Sequence, residues 1–118
     1  RAPDFKVSYR RIPADEGSRS SPFFQGYRSD FHYESEDLDQ VGIHMIWPEF
    51  LDEKGMVIVE DDKPITNEGE AFMWIASFEQ MKEYHRKQAI TGRRGWFMEG
   101  SRKTAEATIL EQIGLLNV

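Results

Sequence analysis

The sequence predicts an all-β protein: a six-stranded antiparallel Greek-key-type β-barrel with one inserted helix near residues 79–88. Short segments with alternating apolar and polar residues are separated by turn signals rich in Gly, Pro and Ser, a pattern typical of small antiparallel barrels. One segment instead repeats its apolar residues at helical spacing. A chain of 118 residues is expected to form a single domain, here 1–118.

The strand pattern occurs in several short segments. The predicted strands are 5–9, 31–33, 41–47, 56–59, 71–77 and 96–98. In the third, alternation puts Val41, Ile43, Met45 and Trp47 on one face, and Pro48 ends the strand. In the fifth it puts Phe72, Trp74 and Ala76 on one face. Residues 104–113 allow two interpretations, because their Ala and Glu favour a helix whereas Thr108 and Ile109 favour a closing strand.

The period changes after the fifth predicted strand. Residues 78–88 contain no Gly or Pro, and Phe78, Met81 and His85 are spaced at i, i+3 and i+7. This spacing predicts an amphipathic helix of three turns. Gly92 and Gly95 then close the segment.

The charge of the chain argues against a protein built to coat nucleic acid or to lie on an anionic membrane. Fifteen basic and 21 acidic residues give a net charge of −6. Residues 31–70 hold twelve acidic and two basic residues, a net −10, between mildly basic ends. This acidic middle has two interpretations: a solvated rim of loops, or a patch that attracts a basic partner.

Motifs for catalysis or cofactor binding are missing from the sequence. There is no cysteine, no phosphate-binding glycine loop and no nucleophile elbow. His32, His44 and His85 have no metal-ligand spacing, so a metal site would require tertiary proximity. No apolar run approaches the length of a membrane span. We therefore expect a cytoplasmic, non-enzymatic protein with no cofactor, no bound metal, no nucleotide and no membrane contact.

Aromatic and arginine residues are the remaining candidates for a binding surface. The aromatic side chains of the segment 23–33 could stack on bases or sugars, or form the barrel core and anchor its loops, and for most of them we favour the second interpretation. They are Phe23, Phe24, Tyr27, Phe31 and Tyr33. Arg19, Arg28 and Arg102 are better candidates, because arginine beside a glycine-rich turn can bind phosphate or carboxylate with two hydrogen bonds.

A repeated motif leads to a known family. Residues 15–28 read D-E-G-S-R-S-S-P-F-F-Q-G-Y-R, and E-G-S-R recurs at 99–102. The sequence resembles the third, C-terminal domain of bacterial elongation factor Tu, where an E-G-G-R loop precedes P-F-F-x-G-Y-R and a second E-G-G-R-T loop precedes the last strand. The similarity is strong over 5–39 and fair over 66–77 and 96–113.

The resemblance implies a six-stranded antiparallel barrel that helps to bind the T-stem of aminoacyl-tRNA. By position, Arg19 matches the arginine of the first tRNA-contacting loop, and Glu99 with Gly100 matches the second loop. Both loops of the family approach one ligand face. The resemblance therefore implies that Arg19 and Arg102 lie on the same side of the barrel.

Several positions depart from the family pattern with the same sign of charge. Asp30 stands where the family has Gln, Glu34 where it has Arg, and Asp39 where it has Thr. Each change disfavours a phosphate ligand. Two hypotheses follow. The barrel engages a translation component through the face that carries both E-G-S-R turns. Alternatively it is a protein-interaction barrel (a decoy, inhibitor or immunity-type partner) whose acidic middle, with these three carboxylates, binds a basic protein.

Overall fold

The computed structural model describes residues 1–40, 42–76 and 78–117, without the side chains of 78–80. Within these ranges it contains one α-helix, α1 (Phe78–Gln88), and two short 3-10 turns at Ala14–Glu16 and Gly114–Asn117. The same ranges contain six strands: β1 (Phe5–Arg11), β2 (Asp30–Tyr33), β3 (Ile46–Leu51), β4 (Glu68–Ile75), β5 (Arg94–Glu99) and β6 (Arg102–Gln112). In this part of the chain, no helix has the length and apolarity needed to cross a bilayer.

The strands form one antiparallel sheet in the order β2-β5-β6-β1-β4-β3. The sheet curls so that its two edges approach each other. Phe31 of β2 and His44, just before β3, exchange two backbone hydrogen bonds of 2.8 and 2.9 Å. The predicted all-β barrel with one helix is confirmed in this half-closed form.

Aromatic side chains fill the interior of the curled sheet. Phe5 meets Phe31 edge to face with ring centroids 5.9 Å apart, and Tyr9 meets Phe50 in the same way at 5.3 Å. Edge-to-face contacts of this kind add to the free energy gained by burying the rings. Phe23, Phe31 and Tyr33 are buried here, which confirms that they belong to the core.

The predicted strand 41–47 is wrong in extent and in phase. Strand β3 begins at Ile46 and continues through Pro48 to Leu51, while Val41 lies outside the described residues. Ile46 is fully buried, whereas Met45 is 55% exposed. Pro48 is tolerated because β3 pairs with β4 and otherwise lies at an edge of the sheet, where a missing N–H removes no ladder hydrogen bond.

The face predicted to carry Phe72, Trp74 and Ala76 is the outer face of this segment. Ala71, Met73 and Ile75 are buried, so Trp74 and its neighbour Phe72 lie on the outer face of β4 and are only partly buried. Residue 77 lies outside the described part. The segment A-F-M-W-I-A is apolar at every position, so alternation could not indicate which face points inward.

The remaining assignments are mixed. Residues 56–59 form no strand, and Val57 makes a single bridge to Leu51. In the ambiguous segment 104–113, residues 104–112 lie in strand β6. The helix is confirmed, but Met81 is exposed whereas His85 and Ala89 are buried.

Gly92 follows α1 with a φ of 88°, but Gly95 lies within β5 rather than at the end of the helix. A Cβ atom on Gly95 would lie 2.4 Å from Cζ of Phe31 and 2.8 Å from the carbonyl oxygen of His32. The Phe31 ring therefore requires a glycine at this position.

We predict that Gly95→Ala lowers the free energy of unfolding by about 1–3 kcal/mol, because a fully buried ring must move. Gly69→Ala is the matched control, since its nearest neighbour is the Tyr9 hydroxyl at 3.2 Å, the far end of a side chain. Urea denaturation measures both. Equal losses in the two variants would contradict the steric argument.

Candidate functional site

The two E-G-S-R turns meet on one carboxylate. Oε2 of Glu99 accepts hydrogen bonds from Nη1 of Arg19 and from the hydroxyl of Tyr27, both at 2.7 Å, and Oε1 accepts one from Nη2 of Arg102 at 2.8 Å. We call these four residues the two-turn surface. Arg19 and Arg102 lie on the same side of the barrel, which confirms that expectation.

Arg19 is held from several directions. Its Nε and Nη2 atoms donate to the hydroxyl of Ser21 at 3.2 and 2.8 Å. Its guanidinium lies 5.1 Å from the centroid of the Tyr27 ring. The Arg19 side chain is 23% exposed and that of Arg102 is 50% exposed. Arg19 therefore has a structural part in this surface, and Arg102 is its more accessible cation.

The Glu99 carboxylate is ionised in this setting. Burial by itself would raise the pKa of Glu99, but hydrogen bonds from Tyr27, Arg102 and Arg19 outweigh that cost and the pKa is lowered. Lys103 follows Arg102 and lies over the Trp96 ring at 3.8 Å. Glu99 is therefore paired with two arginines at this end of the barrel.

The other predicted residues are distributed over the barrel. Gly100 occupies the β5–β6 turn with a φ of 60°, a conformation that favours glycine. Arg28 lies away from Glu99, with its guanidinium 4.3 Å from the centroid of the Trp47 ring.

The acidic departures are spread along the barrel. Asp30 pairs with Met98, next to Glu99. Glu34 is at the opposite end of β5, where it contacts Arg94 in an ion pair of 3.7 Å. Five residues of strand separate these ends by about 16 Å. Asp39 is in the following turn, where its N–H donates to Asp37.

A buried polar cluster beside α1 has no signal in the sequence. Oε2 of Glu36 lies 2.6 Å from Nε2 of His44 and accepts a hydrogen bond from the hydroxyl of Tyr84. Nδ1 of His85 lies 2.9 Å from the hydroxyl of Tyr33. These residues come from β2, from the loop after it and from the helix. No local spacing could have shown that they meet.

The cluster fastens the helix and the 34–44 loop to the barrel. Burial by itself would raise the pKa of Glu36, but the hydrogen bonds from His44 and Tyr84 lower it overall. Glu36 and His85 are buried, so they offer little surface to a substrate. In the described ranges, no group of three or more His, Asp or Glu residues could hold a metal ion.

The outward tryptophans form a second surface feature. Trp47 of β3 and Trp74 of β4 are cross-strand partners, and they line an open cleft of about 290 Å³ together with Tyr27, Arg28 and Glu49. We call this cleft the tryptophan groove. Its other lining residues are Gln25, Gly26, Pro48, Val57 and Ile58. The sequence prediction missed it because residues 71–76 are apolar on both faces, which hides the side of β4 that points outward.

The buried His85 predicts acid sensitivity. Burial lowers the pKa of His85 to about 4, from an ordinary value of 6.5, and the neighbouring His44 adds to the shift whereas Glu36 opposes it. The unfolded chain then binds more protons than the folded one, so stability present above pH 6.5 is lost as the pH falls toward 4. Tyr33 and Tyr84, which also face the ring, stay neutral over this range.

We predict that His85→Gln reduces the loss of stability between pH 7 and pH 4.5 by about 2 kcal/mol. Chemical denaturation across this pH range provides the measurement. Ile109→Val serves as the control, because Ile109 is buried and does not titrate, so this variant should keep the wild-type slope. A slope unchanged in His85→Gln would show that the ring is not the titrating group.

No family model matches the chain, and no curated protein matches it.

Proposed function

We propose that this protein is a non-enzymatic binding module that engages a component of the translation machinery through the two-turn surface. The observation that carries the proposal is the meeting of both E-G-S-R turns on Glu99. These are the turns on which the resemblance to the elongation factor Tu domain depends. A surface assembled from two loops far apart in the chain is a typical place for binding residues on a rigid scaffold.

The geometry of the arginines supports a ligand with phosphate or carboxylate groups. Arg102 is half exposed and contacts one oxygen of Glu99, so an incoming anion can take its remaining donors. Arg19 is held by Ser21 and Tyr27. It therefore keeps Glu99 and the first turn in place while Arg102 turns toward the ligand.

The charge of the chain limits the strength of any contact with RNA. The net charge is −6, and Asp30 lies beside the two-turn surface. Few phosphates can be neutralised on such a surface, so the affinity for tRNA is expected near that of non-specific binding, on the order of 10⁻⁴–10⁻⁶ M, and to fall as salt is added.

A second candidate function, a protein-interaction barrel for a basic partner, is favoured by a separate observation. Three of the twelve acidic residues of the acidic middle contact a basic side chain: Glu34 contacts Arg94, Glu70 contacts Lys6 and Glu36 contacts His44. The loop 52–62 is different. It holds five acidic residues and one lysine, and nearly all of it is exposed.

We predict that Arg102→Gln abolishes the capture of translation components from a cell lysate by the immobilised protein. Lys82→Gln is the matched control, because it also removes one positive charge but lies in α1, outside both turns. Captured RNA is sequenced and captured protein is identified by mass spectrometry. Wild type and the control should enrich translation components, and Arg102→Gln should not.

Nuclease treatment then distinguishes the ligands. If capture is lost after nuclease, the ligand is RNA, and if it is retained the ligand is a protein of the machinery. A wild-type sample without enrichment, or an Arg102→Gln variant that captures as well as wild type, would refute the proposal.

A further inference from the structure

The tryptophan groove places large aromatic rings on the outside of the barrel. Trp47 and Trp74 pair across β3 and β4 and are only partly buried. Their neighbours along each strand, such as Ile46 and Met73, fill the core. The rings therefore add little to the interior. They form the floor of a cleft on the surface instead.

Hydrogen-bond acceptors line this floor. Nε1 of Trp74 donates to Oε1 of Glu49 at 3.1 Å, which orients the carboxylate at the groove. The N–H and C=O of Phe50 both face the free edge of β3, because they bond to Gln25 and Ile58. The alternation of the strand then directs the Pro48 carbonyl to the same edge, and Pro48 has no N–H. The groove thus offers acceptors to a donor-rich group.

The rings already hold guanidinium groups of the same chain. Arg28 lies over Trp47 with 4.3 Å to the ring centroid, and Arg1 lies over Trp74 at 5.5 Å. Stacking of a guanidinium on an indole face is the most favourable common form of the cation–π interaction. Arg28 is exposed, so a partner's arginine can replace it on the ring.

The loop beside the groove is acidic and exposes apolar side chains, so a basic segment with apolar residues would be complementary to it. Met56 and Val59 of this loop are 64% and 84% exposed, and Val57 reaches the groove. The acidic residues around them are Asp52, Glu53, Glu60, Asp61 and Asp62. The carboxylates attract a cationic partner and repel phosphate. The exposed apolar residues favour contact with apolar side chains of that partner.

From these contacts we infer that the tryptophan groove and the loop 52–62 are a docking site for a segment of a partner protein that is rich in arginine and carries apolar residues. This inference goes beyond the two-turn surface. Tyr27 belongs to both surfaces, because it lines the groove and its hydroxyl bonds to Glu99. Arg28 and Glu49 line the groove, whereas Arg102 contacts Glu99, so each surface can be altered at a residue that the other does not use.

The test uses a fluorescent twelve-residue peptide of alternating Arg and Leu and measures its anisotropy with the full chain at low salt. Glu49→Gln keeps an acceptor for Trp74 but removes the charge, and should weaken binding about 3- to 10-fold. Glu83→Gln, which removes an exposed charge on α1, should change binding less than 2-fold.

Arg28→Gln should change the affinity for the peptide in the opposite direction to Glu49→Gln. Because it removes the internal occupant of the Trp47 ring, this variant should bind the peptide about 3-fold more tightly than wild type. Lys82→Gln changes the net charge equally and should bind like wild type. Arg102→Gln should bind the peptide like the Lys82 variant, so a failure of the proposed function would not be mistaken for a failure of this inference.

Three results would overturn the inference. Glu49→Gln and Glu83→Gln could weaken binding equally, which would make the effect one of net charge alone. A Glu-Leu peptide could bind as tightly as the Arg-Leu peptide. A twelve-nucleotide oligouridine could bind more tightly than either peptide, which would assign the rings to base stacking.

Discussion

The interior of this barrel depends on the meeting of its two edge strands. In the described structure, that meeting consists of the backbone hydrogen bonds that Phe31 and His44 exchange. An edge with two hydrogen bonds would be weak by itself, and open edges invite pairing with other chains. The His44 side chain strengthens it by its 2.6 Å contact with the buried carboxylate of Glu36. The closure of the sheet therefore depends on an ionised group inside the protein.

The closure also sets the position of one candidate surface, the tryptophan groove. Strand β3 begins two residues after His44, so the position of the groove along the sheet follows from the closure. The two-turn surface is fixed separately by Glu99 at the end of β5. Tyr27 contacts both regions, and its ring stacks on the buried Phe23 at 4.4 Å. The loop that carries the family-like motif is in this way attached to the core by an aromatic ring.

The sequence predicts a strand and its buried face well where apolar and polar residues alternate along the chain. Strand β1 alternates Phe5, Val7 and Tyr9 with polar residues, and its face is found as expected. Residues 71–76 are apolar on both sides, so only the packed structure decides that Trp74 points outward. For the same reason the sequence did not locate β3 at Ile46–Leu51, and it did not show that Trp47 and Trp74 are cross-strand partners.

The candidate sites divide in the same way. The repeat of E-G-S-R can be read from the sequence, and it predicts that Arg19 and Arg102 lie on one side of the barrel. In the structure both arginines contact the Glu99 carboxylate. The cluster around Glu36 joins residues up to 52 positions apart along the chain, and only tertiary folding brings them together. In the sequence its polar residues have no spacing that sets them apart from surface residues. They become buried because the helix packs beside β2.

Hydrogen exchange at the closing bridge tests this account most directly. The amides of Phe31 and His44 are measured by NMR at pH 7 in wild type and in Glu36→Gln, with the Val7 amide at the centre of the sheet as a reference. We expect the variant to lose protection at both closing amides by about 10-fold or more, a change of about 1.4 kcal/mol, while Val7 stays protected. Protection that is unchanged at Phe31 and His44 in the variant would contradict the claim that the Glu36 carboxylate holds the barrel closed.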